Sequence, residues 1–198
     1  VITRLIQASG YSAIIFVALI FFFVLREGLP TLSEVDVSSL LNIRWYPIEN
    51  YFGILPLITG SLIVTLGAAL IAVPFGIGTA VYSSEIAPRW VREILKPLVE
   101  LLGGLPSVVL GFLGILVLSP FLRVFLDLPT GLTAFTGSLL LGGIAVPTVV
   151  SVAEDALDSV PRAYREGAWA LGATRWQTIW RVTLPAARSG VLTAVMLG

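Results

Sequence analysis

Charge is absent from most of this sequence and crowded into the remainder. Leu5–Leu25, Asn50–Ser84, Leu101–Leu122 and Leu128–Ala153 carry no Asp, Glu, Lys or Arg, and another such run opens at Ser189. A helix needs about 20 apolar residues to cross the hydrocarbon core of a bilayer. There every backbone polar group must find its partner within the structure, which selects helices or closed barrels. These runs are continuously apolar rather than alternating, so helices are expected. The predicted spans cover roughly 5–25, 56–82, 98–120 and 132–153, with an incomplete one at 189–198. The first is longer than the apolar core of about 7–15 residues in a signal peptide, and no small-residue cleavage site follows it. The expected fold is all-α: a polytopic transmembrane helical bundle forming a single domain over 1–198, without internal repeats or low-complexity linkers.

Lys and Arg set the orientation. With the N-terminus inside, Arg4, Arg89, Arg92, Lys96, Arg162, Arg165, Arg175, Arg181 and Arg188 lie inside, and only Arg26, Arg44 and Arg123 lie outside. This nine-to-three bias predicts a cytoplasmic N-terminus and a cytoplasmic loop at 154–188. It leaves Trp45 and Tyr46 outside, where an interfacial aromatic belt would place them.

Pro and Gly interrupt the spans. The second run holds Gly60, Gly67, Pro74, Gly76 and Gly78. Pro74 is expected to kink its helix. The glycines allow close packing in lipid or a bent helix along a path. "GGLPSVVLG" (Gly103–Gly111) opens the third span, and "GGIAVPTVVS" (Gly142–Ser151) sits in the fourth. Interrupted helices can line a transporter's polar path, which makes Ser107, Thr148 and Ser151 candidate pathway hydroxyls. The alternative is a hydroxyl bonded back to its own helix.

Composition narrows the chemistry. Hydrophobic residues make up 57% and charged residues 12% of the chain, against about 25% charged in soluble domains. Twelve basic and twelve acidic residues cancel, so nothing points to nucleic acid. There is no Cys and no His, which removes thiolate and imidazole catalysis and metal ligation; no metal or cofactor is expected. The chain starts at Val1 and stops at Gly198 inside an apolar run, as a fragment cut at both ends would.

The inside segment "EDALDSVPRAYREGAWALGATRWQTIWRVTLPAA" is the most decorated part of the chain. Ser159 and Pro161 suit the first turn of a helix. Val160, Tyr164, Gly167, Ala168 and Leu171 then recur on one face, with Arg162, Arg165 and Glu166 largely on others. Gly172 ends that helix through the left-handed conformation. Thr174 and Gln177 have capping-box spacing for a second helix, with Trp176, Ile179 and Trp180 as its apolar stripe and Arg175, Gln177, Thr178 and Arg181 elsewhere. Pro185 marks the end of the segment. Such a pair could lie on the bilayer surface, Trp in the headgroups and Arg on phosphates. A hinge between two short helices favours a docking element, since an anchor needs none.

The spacing from Glu166 to Pro185 resembles the EAA loop of ABC importer permeases. The family pattern is E-A-A, three residues, G, nine residues, then I-x-L-P. Glu166, Gly167, Ala168, Gly172, Val182, Leu184 and Pro185 match it, with Gly for the first Ala and Val for Ile. Stretches over nearly the whole chain, such as "AVPFGIGTAVYSSEIAP" (Ala72–Pro88) and "KPLVELLGGLPSVVLGF" (Lys96–Phe112), resemble phosphate ABC permeases, and the wording is closer to the PstC type than to PstA.

The resemblance implies a MetI-like permease of six spans, about five of them present here, in the bacterial inner membrane. It implies no enzymatic activity of its own. Its partners would be a cytoplasmic ABC ATPase dimer, a second PstA-like permease subunit, an extracytoplasmic phosphate-binding protein and the lipid bilayer. Phosphate would cross by alternating access. Glu166 would make polar contacts around the docked loop, Gly167 and Ala168 would give close approach, and Gly172 would set the turn. Trp176, Ile179 and Trp180 would tie the motion to the spans. No G-x-x-x-x-G-K-[ST] loop occurs, so nucleotide would be bound by another chain. A permease for sulfate, molybdate or phosphonate is the near alternative. A secondary transporter or channel, or a membrane subunit without transport activity, are the distant ones.

Overall fold

The computed structural model describes residues 2–34, 40–49 and 51–198. The chain separates into two compact units, divided after Thr59.

In the first unit, α1 (Ile2–Glu34) carries no charge on any side from Leu5 to Leu25, and none of its described side chains is buried. A helix hydrophobic all round is one that lipid must cover. Next comes a feature the helical reading did not contain, a small hairpin of β1 (Trp45–Tyr46) and β2 (Tyr51–Phe52). Trp45 pairs with Phe52 across it, and their rings meet edge to face at 6.2 Å.

The regular elements of the second unit are all helical. Helix α2 (Leu55–Val81) runs through Pro74 as a single helix, one backbone bond short because Pro has no N–H, and passes into a π turn over Tyr82–Ile86. Ala87 and Pro88 lead into α3 (Arg89–Gly103). After a break at Gly104–Pro106, α4 (Ser107–Leu113), a π turn (Gly114–Leu118) and α5 (Ser119–Phe125) form one apolar rod. Helix α6 (Ala134–Asp158) starts at Thr133, whose hydroxyl accepts from Thr136 N at 3.2 Å. Then come α7 (Arg162–Ala170), α8 (Arg175–Thr178), a π turn (Ile179–Thr183), α9 (Leu184–Ala186) and α10 (Arg188–Leu197).

Four stretches among the described residues are long and apolar enough to cross a membrane: Ile2–Pro30, Leu55–Ile86, Ser107–Phe125 and Ala134–Asp158. Each overlaps an expected span. The third is displaced from 98–120, because Gly104 and Pro106 stop α3 although apolar residues continue through the break. Pro106 has no N–H to extend a helix, and it biases its predecessor toward extended backbone.

Small residues set the packing. Ala68, Ala72, Gly76 and Ala80 form a buried stripe at four-residue spacing on α2, the arrangement that lets helix backbones approach in lipid. It lies along α6 in parallel. Ser138 Oγ donates to Val64 O at 3.2 Å, a Cβ on Gly142 would stand 3.0 Å from Ile71 Cβ, and one on Gly76 would stand 2.5 Å from Val149 Cγ1. Helix α10 also packs on α6, its Ala194 buried with Val149, Ala153 and Leu157 in the core. The glycines of α2 therefore divide. Gly76 is a packing site, whereas Gly60 and Gly78 face open space. Gly76→Ile should cost about 1–3 kcal/mol by overpacking, and Gly78→Ala should be near neutral. Thermal unfolding of both variants in detergent checks the contrast.

Candidate functional site

The segment after α6 is built from local signals. Ser159 does not begin α7. It closes α6, donating from Oγ to Ala156 O at 2.7 Å, and Pro161 takes the N-cap position of α7 with extended backbone. The missing N–H of Pro161 costs nothing there, since first-turn donors are unpaired in any helix.

Helix α7 ends in a Schellman arrangement. Gly172 sits at φ +82, its N–H donates to Trp169 O at 2.9 Å, and Ala173 N–H donates to Ala168 O at 3.0 Å. Thr174 then caps α8. Gln177 N–H donates to Thr174 Oγ1 at 3.3 Å, and Thr174 N–H donates to Gln177 Oε1 at 2.9 Å, which completes the expected capping box. Thr174→Ala removes that cap at a cost of about 1 kcal/mol, so amide exchange in α8 should accelerate about fivefold.

The apolar stripe of α8 divides. Ile179 is buried together with Thr178 and Thr183. Trp176 and Trp180 stay on the surface, edge to face at 5.7 Å. Thr178 is therefore an inward residue, contrary to its expected placement. The inward side of α8 runs through Thr178 and Ile179, and the π turn that follows changes the angular register and brings Thr183 onto it. On α7, Val160 just before the helix is buried, but Tyr164 and Leu171 are exposed.

Arg165 is the main departure from the expected faces. It turns inward, donating from Nε and Nη2 to Glu85 Oε1 at 2.9 and 2.6 Å, from Nη1 to Val160 O at 2.7 Å and from Nη2 to Leu157 O at 2.9 Å. The two side chains are 14% and 7% exposed. Glu85 lies in the π turn that ends α2, and other groups hold the same turn. Arg92 donates to Ser83 O at 2.9 and 2.6 Å and also to Ser84 O, and Arg175 donates to Glu85 O. Ser83 Oγ donates to the buried Glu154 at 2.8 Å, and Ser84 Oγ donates to Asp158 at 2.5 Å. Arginines from α3, α7 and α8 thus converge on the carbonyl end of α2. Periodicity had no means of finding this joint. The available signal was "SSE" directly after an apolar run, an acid where lipid gives way to water.

An open cavity of about 700 Å³ adjoins the joint, and Arg162, Glu166 and Trp169 line its outer wall. Glu166 and Gly167 are exposed, and Ala168 is half-buried. Ala168, Gly172 and Val182 share a second groove with Tyr164 and Gln177. Leu184 packs against the core, and Pro185 lies exposed before α10. The structure therefore gathers the motif residues on one end of the bundle, anchored through Arg165.

The pathway hydroxyls are not gathered. Ser107 begins α4 and is exposed, Thr148 is exposed and Ser151 is half-buried on α6. The two interrupted segments do meet, since a Cβ on Gly103 would lie 3.6 Å from Pro147. The space beside that contact is apolar, lined by Leu102, Leu110, Leu139, Leu140, Gly143 and Pro147.

Comparison with known proteins adds three findings. Residues 72–198 match the model of a family described as binding-protein-dependent transport system inner membrane component. Among similar proteins, the probable ABC transporter permease protein YqgH of Bacillus subtilis is 46% identical over 164 residues, covering 82% of this chain and 53% of that protein. The phosphate transport system permease protein PstC of Mesorhizobium japonicum is 35% identical over 185 residues (84% and 57%), and that of Xylella fastidiosa strain Temecula1 is 33% identical over 190 residues (86% and 59%). This chain thus spans little more than half the length of these relatives. A solved structure titled as inward-facing conformations of the MetNI methionine ABC transporter aligns with TM-score 0.56 at 23% identity, covering 73% of this chain and 65% of that one, which shows a shared fold.

Proposed function

The chain belongs to the binding-protein-dependent transport system inner membrane components, and from that premise we propose that it is the permease subunit of an ABC importer for inorganic phosphate. Its spans form one half of a transmembrane path, a second PstA-like permease forms the other, and an extracytoplasmic binding protein delivers phosphate. A separate cytoplasmic ATPase hydrolyses ATP and acts on the permease through α7, Gly172 and α8. The N-terminus faces the cytoplasm, as the Lys and Arg bias favours.

One observation carries the coupling role. The motif spacing is realised as a short helix, a left-handed glycine and a capped second helix, with Glu166 and Gly167 exposed. A rigid two-helix element can receive force from a partner and pass it on. Ser107, Thr148 and Ser151 are proposed as hydroxyls that phosphate meets between the two permease subunits; hydroxyls compensate an anion where a free cation would be costly. Phosphate as substrate is supported by the relatives described as phosphate permeases.

The test is uptake into proteoliposomes holding the full-length chain, its partner permease, the ATPase and the binding protein. Radiolabelled phosphate should accumulate only with ATP on the ATPase side. Sulfate, molybdate and phosphonate in excess should not compete. Accumulation without the ATPase, or uptake of one of those anions in place of phosphate, overturns the reading.

A further inference from the structure

Helix α3 does not lie flat at the end of the bundle. Near its start, Arg92 is bonded to Ser83 O at the end of α2. A turn later, Lys96 Nζ stands 4.0 Å from Asp155 Oδ1. At its last residue, a Cβ on Gly103 would lie 3.6 Å from Pro147 Cβ. Pro147 precedes Ala153, the last residue of α6 before its acidic end at Glu154, Asp155 and Asp158, by about 9 Å of helix axis, in a hydrocarbon core about 30 Å thick. Helix α6 is itself a candidate span. So α3 climbs beside it into the hydrocarbon, carrying Glu100 below the level of the Lys96–Asp155 pair, before the break at Gly104–Pro106 hands the chain to α4. Its connections, Ala87–Pro88 and Gly104–Pro106, are too short to carry it away from the neighbouring spans.

The exposed surface of α3 is split lengthwise. Trp90, Ile94, Leu98 and Leu101 form one stripe, exposed by 67%, 56%, 51% and 69%. Arg89, Glu93, Lys96 and Glu100 form an adjoining stripe, also exposed. Val91, Leu95 and Val99 are half-buried on the inner side. A carboxylate at hydrocarbon depth is costly against lipid and is found facing water-filled cavities. An apolar stripe at the same depth belongs against acyl chains. Both demands are met only if the two stripes face different media.

We propose that α3 is a partition between lipid and water. Its Trp90–Leu101 stripe contacts the acyl chains of the leaflet on the α7 side. Its Glu93–Glu100 stripe lines an aqueous vestibule that reaches from that membrane face to the level of Pro147. The inference requires that the chain span a bilayer and does not depend on the transported anion.

Residues 1–198 have no Cys, so, with any Cys elsewhere in the full-length chain replaced by Ser, single cysteines can be placed here and studied in inside-out membrane vesicles. Glu93→Cys and Glu100→Cys should react with a membrane-impermeant methanethiosulfonate added outside those vesicles. Ile94→Cys, Leu98→Cys and Leu101→Cys should lose that reaction. Spin labels at the latter three should collide with dissolved oxygen, and depth should increase from Ile94 to Leu101 by up to about 10 Å. Reaction at Leu101→Cys as fast as at Glu100→Cys would mean a helix bathed in water and overturns the partition. Loss of reaction at both Glu93→Cys and Glu100→Cys removes the vestibule. Immobile labels without oxygen access at Ile94, Leu98 and Leu101 would place a second permease subunit on the stripe instead of lipid. Each stripe is sampled at two or more positions, so one misfolded variant does not decide the outcome. Phosphate uptake enters none of these readouts, so failure here is distinguishable from failure of the transport reading.

Discussion

Arg165→Met is expected to destabilise the full-length protein by about 3–5 kcal/mol, the cost of leaving one partner of a buried ion pair alone. The substitution strips two donors from Glu85 Oε1 and one each from Val160 O and Leu157 O. Glu85, 7% exposed at its side chain, would be left without its guanidinium partner. Met fills similar space, so the loss is electrostatic and not a cavity. Amide exchange should rise first in α7 and in the π turn Tyr82–Ile86. The double variant Glu85→Gln with Arg165→Met should recover part of the loss, since neither charge is then stranded. Arg165→Lys should fall between, because one ammonium cannot reproduce a planar fork. Chemical unfolding of the four proteins in detergent gives the order directly.

Gly172→Val should abolish ATP-driven uptake and weaken ATPase binding while the transmembrane bundle stays folded. The reason is backbone strain alone. Gly172 sits at φ +82 with open space where a Cβ would stand. An L-residue there costs about 1–2 kcal/mol, and more if β-branched. Asn tolerates this conformation, so Gly172→Asn should retain most activity, Gly172→Ala less and Gly172→Val the least. An order that follows side-chain volume instead, with Ala best, would mean that the position is reserved for a partner's approach and not for the turn.

The sequence disclosed these features unevenly, for physical reasons. Span helices were legible because lipid demands continuous apolarity, which the runs at 55–86 and 134–158 satisfy almost residue by residue. Gly172 and the Thr174–Gln177 box were legible because each acts within a few residues of itself. The Glu85–Arg165 pair was hidden because its partners stand 80 residues apart, and a charged side chain on an amphipathic helix is normally assigned to water. The third span starts at Ser107 and not near 98, because Leu98, Leu101 and Leu102 continue the apolar signal across a backbone break set by Gly104 and Pro106. Ser159 has the chemistry of an N-cap, but its hydroxyl bonds backward to Ala156. The hairpin at Trp45–Phe52 is too short for any periodicity to register.

The most direct measurement of the central claim is photocrosslinking from position 166. Glu166 is exposed on α7, so a photoreactive residue placed there in the full-length permease leaves the Arg165 joint intact. In the assembled transporter it should crosslink to the ATPase subunit, and the yield should change when ATP is bound. Adducts to lipid alone, with none to the ATPase in either nucleotide state, would make the segment a surface anchor and contradict its role as the coupling element.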